Sequence, residues 1–305
     1  MKKGKISNIL CFGEVLWDML PSGAKPGGAT LNVAIHLKKQ GQNPILVSRI
    51  GNDKDGKSLK NYLIKSGLDT QFVQMDEKLN TSKVLVHLDE QKNATYEICE
   101  PVAWDNIQLN KEIEEVASNS GLIIYGSLAS RNQTSRETLF SLLKSSKATR
   151  LLDVNLRPPY DKPEVVEKLL FMSDFIKLND DELYAIASWK NKSGNETELI
   201  QWFAEYFKCS SVCVTRGANG AVLFINKKIY DHPGFIINAV DTVGAGDSFL
   251  ASLVAGLSNH ADPVKALEFA CATGAFVASQ KGAVPEYSEK EINGIINPSS
   301  YLNYS

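Results

Sequence analysis

Six short, almost uninterrupted apolar runs recur along the chain, separated by longer amphipathic stretches. The runs are NILCFGEVLWDML (8–20), PILVSRIG (44–51), GLIIYGSLA (121–129), RLLDVNLR (150–157), DFIKLN (174–179) and SSVCVTRG (210–217). A strand apolar on both faces must be covered on both faces, as a parallel strand in an open sheet is. The stretches between carry helical spacing. In 29–40, Leu31, Ala34, Ile35 and Leu37 share one side, Thr30 opens the helix and Gly41 ends the pattern. Similar patterns cover 56–66, 110–119, 134–146, 163–172, 180–189 and 196–207. The alternation predicts an α/β fold with a parallel sheet covered by helices on both sides, in a single domain over residues 1–305.

Two segments break the alternation. Residues 81–101 read as a hairpin turning at Asp89–Asn93, where a crossover helix was due. Residues 213–232 hold strands joined at Gly217–Gly220, with a polar turn near Asn226. A small β-sheet projecting from the main layer is expected, also using residues 15–29. From about Asn297 the chain turns polar, as a frayed end would.

Composition excludes several classes. With 33 Lys+Arg against 35 Asp+Glu, the net charge of −2 argues against a nucleic-acid or anionic membrane surface. Cys11, Cys99, Cys209, Cys213 and Cys271 are odd in number and contain no C-x-x-C pair, a poor disulfide framework and a poor zinc site. Glu14 and Asp18 cut the N-terminal apolar run, and no stretch approaches the ~18 apolar residues of a membrane helix. The expectation is a reduced, cytoplasmic, soluble protein.

The most informative stretch is DTVGAGDSFLASLVAGL, 241–257. Gly244, Ala245 and Gly246 lead into an apolar-periodic helix. Free N–H groups and the helix dipole there favour an anion, and small residues let a phosphate approach. Asp247 in the first helical turn reads as a general base beside that anion hole, or as a residue that complements the dipole. No Walker A motif occurs. In PGGATLNVA, 26–34, Gly27 and Gly28 before a helix read as a turn or as a close approach to a polar ligand that Asn32 would bind. Asp18, between Trp17 and Met19, is a carboxylate in apolar company, costly unless paired. Adjacent sugar hydroxyls would pair it.

Together these segments resemble the ribokinase-like (PfkB) family of carbohydrate kinases, over roughly residues 8–290. DTVGAGDSF and PGGATLNVA match best. RIGNDKDG (49–56), KLNDDEL (177–183), VTRGANGA (214–221) and SQKGAVP (279–285) support them. GEVLWDMLP, EPVAWD (100–105) and DVNLRPPY (153–160) look most like fructokinases. The resemblance implies a three-layer, parallel-sheet ribokinase-like fold with a β-sheet lid made of about 15–29 and 81–101. It implies ATP and Mg²⁺, and a sugar under the lid bound by Asp18, Gly28 and Asn32. Arg157 would reach sugar or phosphate, or pair with a surface acid. Asp247 would deprotonate a sugar hydroxyl while the amides of Gly244, Ala245 and Gly246 hold the migrating charge. Asn179 and Glu182 would act through Mg²⁺ and its waters, or cap a helix and face solvent. Thr215, Gly217 and Gly220 would border the nucleotide, or form an ordinary turn. Asp241 with the backbone of Val243 and Gly282 would hold a monovalent cation such as K⁺.

Two positions depart from the family: Cys271 replaces an Asn common near the adenine, and Tyr125-Gly126-Ser127 lacks the acid of ribose-specific members. Ser127 is then a lesser contact. The expected function is an ATP-dependent fructokinase, with 2-keto-3-deoxygluconate kinase and ribokinase as alternatives. A non-catalytic sugar-binding protein would have lost Asp247 or the anion hole. A dinucleotide-dependent oxidoreductase would need G-x-G-x-x-G after the first strand, where Phe12-Gly13-Glu14-Val15 stands. A homodimer through the open edges of the lid is also expected.

Overall fold

A computed structural model describes residues 8–21, 23–88 and 94–298. The turn expected at Asp89–Asn93 and most of the polar C-terminal stretch lie outside the described residues. The main sheet has nine strands: β1 (Ile9–Phe12), β4 (Pro44–Gly51), β5 (Val73–Asp76), β8 (Leu122–Gly126), β9 (Thr149–Asp153), β10 (Phe175–Asn179), β11 (Ser211–Thr215), β12 (Ala221–Ile225) and β13 (Lys228–His232). Their order is β13-β12-β11-β10-β9-β8-β1-β4-β5. The strands from β5 to β11 run parallel, while β12 and β13 add as antiparallel neighbours.

Helices cover both faces, as the apolar runs require. On one side lie α1 (Ala29–Lys39), α2 (Lys54–Lys65), α8 (Ala245–Ser258) and α9 (Pro263–Ala278). On the other lie α3 (Lys111–Ser118), α4 (Gln133–Ser145), α5 (Pro163–Phe171), α6 (Asp180–Trp189) and α7 (Glu196–Tyr206). Alternate residues of β1 feed the two layers: Leu10 and Phe12 one core, Ile9 and Cys11 the other. Each such side chain contributes about 1.5–3 kcal/mol of burial.

The run 8–20 is two strands, not one. The backbone breaks at Gly13 and Glu14, and β2 (Leu16–Leu20) leaves the main sheet. A Cβ at Gly13 would lie 2.2 Å from Thr30 Oγ1. The Glu14 carboxylate accepts from the Ala29 amide at 3.0 Å. α1 begins at Ala29, where the 29–40 pattern begins, with the Glu14 carboxylate on its first amide. β2 joins β3 (Gly23–Gly27), β6 (Ser82–Leu88) and β7 (Ala94–Ile98) in a second sheet ordered β3-β2-β6-β7. This is the expected small sheet, drawn from the two predicted segments. β5, VQMD, escapes a reading based on apolar runs because half of it is polar.

Candidate functional site

Parallel strands end on the same edge, so the residues that follow them are gathered there. Glu14 follows β1, Ser127 follows β8, Asp153 ends β9, Asn179 ends β10 and Thr215 ends β11. The N-terminus of α8 meets this edge.

The turn into α8 depends on Gly244. Its φ is +79°, and a Cβ there would lie 2.4 Å from the Ala283 carbonyl oxygen. Only glycine satisfies both conditions. The Ala245 amide donates to Thr242 O at 3.2 Å. The expected trio of open N–H groups therefore shifts. Gly244, Gly246 and Asp247 have no amide partner among the described residues, whereas Ala245 is occupied because the turn closes through it.

Asp247 sits half-buried in the first turn of α8. Its Oδ2 accepts from Asn32 Nδ2 on α1 at 2.8 Å. Burial pushes the carboxyl up to about 7, and the Asn32 bond opposes that rise. Asn32 is buried and its Oδ1 has no partner among the described residues. It is an acceptor ready for a ligand O–H. Asp18 lies on β2 and has no hydrogen-bond partner among the described residues. Burial pushes it up to about 6. Gly27 makes room for it, since a Cβ there would come 2.1 Å from Asp18 Oδ2. Gly28 takes φ +111°, and a Cβ would meet the Glu14 carbonyl at 2.6 Å. Its glycine is required by backbone packing.

Arg157 is exposed. Its Nη1 donates to Leu156 O at 2.9 Å and it makes no ion pair with a described residue. Asn179 and Glu182 form a reciprocal cap on α6: Asn179 Oδ1 accepts from Glu182 N at 2.8 Å and Glu182 Oε2 from Asn179 N at 2.9 Å. Glu182 is buried rather than solvated, and its Oε1 accepts from Leu156 N at 2.7 Å. Burial raises its pKa, opposed by Lys177.

Thr215 is half-buried at the end of β11. Gly217, at φ +54°, faces open space. At Gly220 a Cβ would lie 2.0 Å from His232 O, so packing on the 232–234 segment demands glycine there. Asp241 Oδ1 accepts from Val243 N at 3.1 Å and its Oδ2 from Gly282 N at 3.0 Å, which brings these three residues together. Ser127 is buried, with its hydroxyl on Asn155 O at 3.4 Å. Cys271 is buried on α9.

The site also holds groups that sequence reasoning passed over. Lys177 on β10 donates to Asp153 Oδ1 on β9 at 3.0 Å, with both side chains buried. Each is a charge inside an apolar run, the same signal that singled out Asp18. Burial alone lowers the Lys177 pKa, but Asp153, Glu182 and Asp247 more than offset it and leave the ammonium above its ordinary range. Glu14, buried at the root of β2, is the other.

A family model described as pfkB family carbohydrate kinase matches residues 22–290. A fructokinase of Klebsiella pneumoniae is 28% identical over 305 residues, covering 93% of this chain and 97% of that protein. One from Vibrio alginolyticus is 29% identical, covering 92% and 95%. Among solved structures, a Xylella fastidiosa fructokinase with bound ATP aligns with a TM-score of 0.84 at 23% identity, covering 96% of this chain and 99% of that one. A Vibrio cholerae fructokinase holding fructose, ADP and calcium aligns at 0.81 and 24%, covering 96% and 100%. These last two bear on the fold, which is ribokinase-like. With the family model matching from residue 22 to 290, which takes in most strands of both sheets and the α8 turn, the chain belongs to the pfkB family of carbohydrate kinases.

Proposed function

We propose that this chain transfers the γ-phosphoryl group of ATP to a hydroxyl of fructose, with Asp247 as general base. The observation that carries this reading is the Asp247 carboxyl. It is held by Asn32, has a pKa near neutrality, and stands beside the open amides of Gly244, Gly246 and its own backbone. A base works best when its pKa is close to the working pH. Fructose as acceptor is supported by the fructokinase-like segments and by the names of the relatives.

The sugar lies between the small sheet, acting as a lid, and the edge of the main sheet. Asp18 accepts from two adjacent sugar hydroxyls, and Gly28 lets the ring approach the backbone. Asn32 orients Asp247 with Nδ2 and accepts a sugar O–H with Oδ1. Asp247 takes the proton of the attacking hydroxyl as the new O–P bond forms. The bond from the γ-phosphorus to the bridging oxygen breaks, and its electron pair leaves with ADP. The amides at the start of α8 stabilise the charge on the moving phosphoryl group. Positioning and electrostatics supply most of the rate.

ATP runs along Thr215, Gly217 and Gly220, with the exposed Ile236, Val240 and Val243 offering apolar surface to a base. Mg²⁺ suits the donor set, because Asp153, Glu182 and Asp247 outnumber the one ammonium among them. Glu182 and Asn179 would hold the ion through water, since their oxygens already accept backbone N–H groups. When bound, the ion offsets triphosphate charge. K⁺ at Asp241, Val243 and Gly282, a homodimer through the lid edges, one domain over 1–305 and a cytoplasmic location belong to the same reading. The location is supported by five free cysteines. Among the described residues no helix is long and apolar enough to cross a membrane.

Arg157 favours a second reading, because an exposed cation at the strand edge, with no ion pair to a described residue, suits the carboxylate of 2-keto-3-deoxygluconate. A coupled ADP-release assay on fructose, 2-keto-3-deoxygluconate and ribose, with and without potassium, decides between them. Fructose should turn over fastest, and Asp247→Asn should lose about 10²–10⁴ in rate. Near-unchanged turnover in that variant removes the base assignment.

A further inference from the structure

We propose that Arg131 and Tyr160 are positioning residues for the sugar. Together they clamp the root of β7 and so fix where Asp18 stands over the cleft. This role deepens the sugar-kinase reading and rests on it.

Two segments that phosphoryl transfer leaves largely unused, EPVAWD (100–105) and DVNLRPPY (153–160), meet on Arg131. Arg131 follows the short turn Leu128–Ser130 after β8, and its side chain is 3% exposed. Its Nε and Nη2 donate to the two carboxylate oxygens of Asp105 at 2.7 and 2.8 Å. Nη2 also donates to Cys99 O at 2.8 Å. The guanidinium carbon lies 4.1 Å from the Trp104 ring centre and 4.6 Å from that of Tyr160. A planar, forked cation can do all of this at once, and an ammonium cannot. A buried ion pair adds little stability over apolar residues of the same size, so stability alone does not call for this one. Its task lies in what it holds. The Tyr160 hydroxyl donates to Ile98 O at 3.0 Å. The carbonyls of Ile98 and Cys99, where β7 ends, are therefore both gripped from the main body.

Strand register carries that grip to Asp18. In the small sheet Ile98 pairs with Val84, and Val84 pairs with Asp18. The three form one row across β7, β6 and β2, with neighbouring strands about 4.8 Å apart. A shift of β7 is passed along hydrogen-bonded strands to the carboxylate. Further contacts close the block. Cys99 N donates to Lys83 O at 3.0 Å and Ala103 N to Asn80 O at 2.9 Å, so the two ends of the β6–β7 segment stay together. Asp105 also accepts from Val102 N at 3.0 Å. The Tyr160 amide donates to Arg157 O at 2.8 Å, and the Leu156 amide to Glu182 Oε1 at 2.7 Å. The loop that carries Tyr160 is thus fixed to the edge of the main sheet while it holds β7.

The test compares wild type with Tyr160→Phe, which removes one hydroxyl, and Arg131→Lys, which keeps the charge opposite Asp105. The readouts are kcat and KM for fructose and for ATP, Tm, and amide exchange at Cys99 and Ala103 in ligand-free protein. Tyr160→Phe should raise KM for fructose about three- to tenfold, and Arg131→Lys about ten- to a hundredfold. KM for ATP and kcat should stay within a small factor, and both amides should exchange faster. The double variant should bind fructose no worse than Arg131→Lys alone, because the two residues act as one clamp. A lower Tm with KM for fructose unmoved overturns the proposal, since a merely structural cluster would do only that. An equal rise in KM for fructose and ATP overturns it too. Should Arg131→Lys not fold, an unmoved KM for fructose in Tyr160→Phe is decisive against it. A wild type that phosphorylates none of the three sugars overturns the sugar-kinase reading instead, and unmoved exchange at Cys99 and Ala103 then refutes the clamp separately.

Discussion

Burial holds Asp247 near 7, well above its ordinary 3.8, and this places the carboxylate in opposition to the fold. The unfolded chain gives up that proton more easily than the folded one. Stability from this group is therefore present at low pH and is lost as pH rises from about 4 through 7, by up to ~1.4 kcal/mol for each pH unit crossed. Asp247→Asn should then raise Tm, by more at pH 8 than at pH 5; calorimetry showing an equal gain at both would contradict it. Asp18 follows the same physics on the other side of the cleft, pushed to about 6 with no partner among the described residues. Hydrogen bonds to a charged group are worth about 1.5–3 kcal/mol. Asp18→Ala should thus raise KM for the sugar roughly ten- to a hundredfold and leave KM for ATP within a small factor. A larger loss for ATP would reverse the two subsites. Asp18 was legible because a charge inside an apolar run is costly, and Asp247 because it follows Gly244-Ala245-Gly246 at the start of a helix. Lys177 and Asp153 carried the same mark as Asp18, inside the runs DFIKLN and RLLDVNLR, and were passed over; only strand register turned them into a pair.

The start of α8 is held by a partner remote in sequence. His36 Nε2 contacts Ala283 O at 3.0 Å and so donates to it, leaving Nδ1 to accept from the Tyr287 hydroxyl at 2.8 Å. The Gln40 amide donates onward to Tyr287 and to Ser252. This latch seats the 280–287 segment against Gly244. Burial holds His36 neutral, down to about 4. A depressed histidine contributes nothing adverse above 6.5, but stability is lost as pH falls from there toward 4. Tyr287→Phe keeps the ring and strands His36 Nδ1, while Gln40 retains Ser252, at a cost of about 1–3 kcal/mol. Amide exchange over 280–287 should speed up in the variant, and in wild type as pH falls below 6 once the intrinsic rate is corrected for. Unchanged protection in both would remove the latch. The spans of α1 to α7 were legible to within a residue or two, because periodicity and glycine stops are local, whereas α9, over Pro263–Ala278, was not read from the sequence at all. The split of 8–20 into β1 and β2 was not, because it is enforced by contacts of Gly13 and Glu14 with the start of α1.

On the scale of the whole molecule, two sheets face one edge, joined at Gly13–Glu14 and by the chain on either side of 81–101. A lid on such joints should close when sugar brings Asp18 and Asn32 to the same ligand. Small-angle scattering should show a smaller radius with fructose than without; an equal radius would mean the cleft is preformed. The amino-acid sequence by itself determined the layered α/β architecture, the second sheet, and the Asp247 turn with its glycines. Each rests on patterns within a few residues of one another, such as run length, helical period and small residues before a helix. Only the tertiary structure decided which amides remain open, that Gly220 and Gly28 serve backbone packing, that Glu182 is buried, and that Lys177 meets Asp153 beneath the base. Those outcomes depend on strand register and on the approach of segments far apart in the chain, where packing and electrostatics act across space.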